Sequence, residues 1–79
     1  MELQHVHGLL TKAREYNIMG KKALAGGKFK QALGHFKTAD SINHSAESKK
    51  GVVACLLGMK KFREALEYAL LYNLLENVE

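Results

Sequence analysis

A chain of 79 residues suffices for one small domain, whose single core supplies only a few kcal/mol, so an exposed apolar ridge reads as an interface. Apolar residues at 47% beside 25% charged exclude a disordered tail, and no apolar run approaches the roughly 18 residues of a membrane span. The net charge of +4 and pI near 9.3 admit an acidic partner.

Proline is absent and helix formers dominate. Leu3–Ala25 carries Leu3, Val6, Leu10, Ala13, Tyr16, Gly20 and Ala23 at helical spacing, with Leu9, Met19 and Leu24 beside them. Gly8 and Gly20 each cost about 1 kcal/mol relative to Ala, so each needs a packing reason or marks a break. Gly26-Gly27 ends the segment. A second helix, Lys28–Ile42, puts Phe29, Ala32, Leu33, Phe36, Ala39 and Ile42 on one face. After a turn, Asn43 or Ser45 caps a third helix, Ala46–Gly58, which buries Val52, Val53, Leu56 and Leu57. A fourth, Lys61 to about Asn77, aligns Phe62, Ala65, Leu66, Ala69, Leu70, Asn73 and Leu74. Loops this short make sequential helices antiparallel neighbours.

Phe29-Lys-Gln-Ala-Leu33 returns 33 residues later as Phe62-Arg-Glu-Ala-Leu66. A period of this size marks a helical repeat. Each copy opens the second helix of a hairpin: the small Ala32 and Ala65 let backbones approach, and Phe29 and Phe62 plug the closed end.

On these residues the chain resembles the tetratricopeptide repeat family. Tyr16, Met19-Gly20, Ala23, Gly27, Phe29, Ala32, Phe36 and Ala39 stand at that family's pattern positions. In the second unit Phe62, Ala65 and Ala69 match in phase, Val52-Val53 replaces Leu-Gly, and the turn glycine is displaced to Gly58. The first unit also resembles the three-helix microtubule-interacting-and-trafficking domain in size and turn. The resemblance implies an all-α fold of two stacked hairpins in one domain, 1–79. The first repeat is 13–45 with a helical extension 1–12, and the second is 46–79.

It also implies a groove lined by the first helix of each hairpin: Arg14, Asn17, Lys21, Leu24 and Ala25 from one, Lys50 and Ala54 from the other. Lys21 and Lys50 would meet an acidic side chain or a peptide carboxylate, and Asn17 a peptide backbone. The family's chaperone-tail clamp is not implied, because it spreads over three repeats and only Asn17 and Lys21 are in range. Leu71, Leu74, Leu75 and Val78 form an apolar tail surface, which predicts a homodimer or partner contact. The expected function is therefore a non-catalytic interaction module for a protein or peptide.

The competing reading is a small basic helical protein that binds nucleic acid through Lys21, Lys22, Lys28, Lys30 and Lys37 with Phe29. Base stacking needs exposed aromatics, and Phe29 falls on the apolar face. Charge is uneven: residues 1–40 hold seven Lys/Arg against three acids, and the last sixteen residues hold four Glu and no base. His5 and His7 diverge on a helix, so no metal or cofactor is expected. Gly26-Gly27-Lys28 lacks the full phosphate-loop pattern. Cys55 sits in an apolar stretch as a small hydrophobe. A lone cysteine and the lack of a signal-peptide pattern fit a cytoplasmic chain.

Overall fold

The computed structural model describes residues 2–72, with side chains from Gly8 onward. Four helices follow one another: α1 (Glu2–Ala25), α2 (Phe29–Ile42), α3 (Ala46–Gly58) and α4 (Phe62–Leu71). Each packs on its neighbour in sequence, and α1 also touches α3. The domain is thus all-α with sequential helix packing. The starts and ends expected for the first three helices agree to within a residue. α4 gives way to a turn at Tyr72, and the expected continuation through Asn73 and Leu74 to Asn77 lies outside the described residues.

Both hairpin turns are built alike, 33 residues apart. At the end of α1, the Lys28 N–H donates to the Ala23 carbonyl at 2.8 Å and the Gly27 N–H to Leu24 at 3.0 Å. At the end of α3, Lys61 donates to Leu56 at 2.8 Å and Lys60 to Leu57 at 2.9 Å. These paired bonds satisfy carbonyls that a helix end leaves open. The residue at the bend is left-handed in each, Gly27 at φ 77° and Lys60 at φ 63°. The turn position is therefore not displaced to Gly58, as the sequence suggests. It stays in phase, with a lysine in a conformation that costs a side-chain-bearing residue about 1 kcal/mol. Lys28 and Lys61 then serve as N-caps, at φ −91°, ψ 71° and φ −91°, ψ 68°.

Between α2 and α3 the turn uses side chains. Ser45 is the N-cap, its hydroxyl accepting from the Ser48 N–H at 3.2 Å. Asn43 instead closes α2, donating its N–H to the Ala39 carbonyl.

Phe36 is the largest fully buried side chain. A β-carbon on Gly20 would stand 2.8 Å from its ring, and one on Gly51 would stand closer still. The ring thus lies between two helices that can approach it only as glycine. Around it, Ala32, Val52, Cys55, Leu56 and Ala65 complete the core. Gly20 has the packing reason its cost demands. Gly8 and Gly34 have none, since open space surrounds their missing β-carbons.

The expected burial fails on the far side of the second hairpin. Leu57, Phe62, Leu66 and Leu70 are exposed, Phe62 at 61%. Phe29 packs against Gly58 of the next helix, whereas no described helix follows α4 to cover Phe62 in the same way. Phe62 is therefore no plug.

Circular dichroism melts of three variants test this packing. Gly34→Ala and Lys60→Gly each raise stability by about 1 kcal/mol, by helix propensity and by relief of the left-handed bend. Gly51→Ala lowers it by roughly 1 kcal/mol, because overpacking against Phe36 outweighs the propensity gain.

Candidate interaction surfaces

α1 and α3 lie side by side because both pack on α2, and a groove opens between them. It encloses about 470 Å³ and is lined by Lys21, Leu24, Phe36, Glu47, Lys50 and Gly51. Three of the expected groove residues, Lys21, Leu24 and Lys50, are thus brought together. Arg14 and Asn17 line an adjoining hollow with Leu10, Ala13, Asn43 and Ser45, and Glu47 borders both. Ala25 is exposed near the end of α1, and Ala54 is half-buried on α3; neither lines these two hollows.

The electrostatics differ from a purely basic groove. The Lys21 ammonium pairs with the Glu47 carboxylate across the two helices, both side chains largely in solvent. Such exposed pairs contribute at most about 1 kcal/mol, so Lys21 remains free to exchange partners. Lys50 carries the unpaired positive charge on the groove wall, no ion pair joining it among the described residues. Glu47 escaped the groove reading, although an acid just after a Ser N-cap is a recognisable helix-start signal.

Asn17 takes a different part from the one the resemblance implies. It is 5% exposed, and its Oδ1 accepts from the fully buried Ser48 hydroxyl at 3.2 Å. Ser48 in turn meets the Ser45 hydroxyl at 3.1 Å. Asn17 thereby ties α1 to the capped start of α3, and its carbonyl is committed to the fold.

On the opposite side of α3, the Lys49 ammonium donates to Asp40 at 2.7 Å, with both side chains mostly buried. It also lies 4.8 Å from the Tyr72 ring centroid, and Tyr72 packs on Tyr68. Burial, with the nearby Asp40 charge and Tyr72, pushes the Tyr68 hydroxyl above its ordinary range.

Leu71 is exposed, while Leu74, Leu75 and Val78 lie outside the described residues. Phe29 is half-buried against Gly58, which leaves the basic residues around it without a free stacking ring. Among the described residues no cluster of three His, Cys, Asp or Glu could hold a metal ion, and no helix is long and apolar enough to cross a membrane. No family model, no curated protein and no solved structure matches the chain.

Cys55 is fully buried, and burial pushes its thiol up, away from the thiolate form that reacts. A thiol reagent such as iodoacetamide at neutral pH should modify the native protein far more slowly than the urea-unfolded chain. Equal rates would show that this part of the core is open.

Proposed function

We propose that the chain is a non-catalytic protein-interaction module of two tetratricopeptide-like hairpins, whose α1/α3 groove receives a short peptide segment. The observation that carries the reading is the meeting of Lys21, Leu24 and Lys50 in one groove over a floor of Phe36 and Gly51. Two further features support the hairpin stack. The turn geometry recurs at 33 residues, and α1 and α3 touch while α2 packs on both and α4 packs on α3.

The chemistry of the groove selects the ligand. An apolar side chain suits the half-buried Leu24, and a carboxylate next to it suits Lys50. Glu47 repels a second carboxylate placed beside Lys21. The preferred segment therefore combines one apolar anchor with one acidic group, rather than a run of acids.

A display library of short random peptides, selected on the wild-type protein, tests this. Enriched peptides should pair an apolar residue with Asp or Glu. Their affinity should fall about tenfold, roughly 1.4 kcal/mol, in Lys50→Glu and stay unchanged in Lys30→Glu, which lies outside the groove. Enriched peptides indifferent to Lys50→Glu would remove the groove as the binding site.

A further inference from the structure

Leu57, Phe62 and Leu66 of the second hairpin are exposed, whereas Leu24, Phe29 and Leu33, 33 residues earlier, are partly covered. In the first hairpin the cover comes from α3: Phe29 rests on Gly58, and Phe36 on Gly51. We infer that the open α3/α4 face receives α1 of a second copy of this chain, head to tail, as the α1/α2 face receives α3 within the chain. The inference rests on the hairpin-stack reading above.

Residues Ala13–Ala25 of α1 correspond to Ala46–Gly58 of α3, so α1 is the element of matching register. Its outer row already carries exposed apolar side chains, Ile18 and Met19, at the positions of Gly51 and Val52. Size complementarity follows the same register. Within the chain, the large Phe36 meets the small Gly51. Between copies, the small Ala69 meets the large Ile18. The partners exchange sizes and the filled volume is roughly kept. Phe62 then meets Ala25, as Phe29 meets Gly58.

A receptacle for Leu70 is present as well. Lys37 borders a hollow lined by Val52, Leu56, Glu64 and Tyr68. The corresponding hollow one hairpin earlier encloses about 370 Å³ and includes Met19, Ala23, Gln31 and His35. Leu70 corresponds to Lys37 and is 59% exposed, an apolar side chain ready for that hollow.

Charge agrees with the pairing. Lys22 and Lys28 rim the receiving hollow. Glu67, exposed one turn before Leu70, lines the hollow that Lys37 of its own chain borders, and no ion pair holds it there among the described residues. Lys22 takes the position of the buried Cys55, so its stem lies along α4 and its ammonium reaches out toward Glu67. Because the two faces differ, the contact does not close on a pair, and copies add end to end.

Sedimentation of the wild type over a range of concentrations should show mass rising beyond a dimer. Ile18→Glu blocks the offered α1 face and Leu66→Glu the receiving α3/α4 face; both positions are exposed, and circular dichroism should show the fold intact. Each variant alone should be monomeric, and an equal mixture should give a dimer and nothing larger, since one productive pairing remains. Carbodiimide treatment of the wild type should join Glu67 of one copy to Lys22 of another, a readout independent of any variant. A wild type that stays monomeric at every concentration overturns the inference, as does Ile18→Glu that still self-associates or a mixture that forms no dimer. A monomer that still binds groove peptides would leave the groove reading standing.

Discussion

The ring of Phe36 occupies the space where side chains on Gly20 and Gly51 would otherwise stand, and so joins α1, α2 and α3 at one point. Burying such a ring contributes about 2–3 kcal/mol, a large share of what a domain this small can hold. Much of the remaining core is small: Ala13, Ala32, Ala39, Ala65, Ala69 and Cys55. Small residues bring helix backbones close, and close backbones have no slack to take up an added methyl group. The same ring lies beneath the groove, so the packing that holds the helices together also shapes that groove.

Polar contacts set the register that the apolar core leaves loose. Ser48 links the start of α3 to Asn17 of α1, and Lys49 links it to Asp40 of α2. Both contacts are shielded from solvent, where an unmade bond costs about 1–3 kcal/mol, so sliding α3 by one turn is strongly opposed. They fix where Glu47 and Lys50 stand relative to Lys21. The groove's charge pattern is in this sense a product of bonds beneath it.

Helix spans were readable because amphipathic spacing, Gly26-Gly27 and the Ser45 cap are local signals. The face of α2 that buries Ala32, Phe36 and Ala39 was readable for the same reason. What was not readable depends on neighbours. Phe62 repeats Phe29 in sequence, but exposure is decided by whether a further helix lies against it. Asn17 looks like a surface amide until Ser48, far along the chain, is placed beside it. Lys60 gives no sign of a left-handed bend, because lysine takes that conformation only when the flanking helices impose it. At the groove, Lys21, Leu24 and Lys50 followed from the family resemblance, while Glu47 required knowing which way the start of α3 faces.

A double-mutant cycle at Phe36 and Gly51 tests most directly whether the ring-on-glycine contact organises the fold. Unfolding in urea would be measured for wild type, Gly51→Ala, Phe36→Leu and the double variant. Gly51→Ala should destabilise the protein when Phe36 is present, yet be neutral or stabilising in the Phe36→Leu background, with a coupling of about 1 kcal/mol or more. Additive effects of the two substitutions would contradict the account.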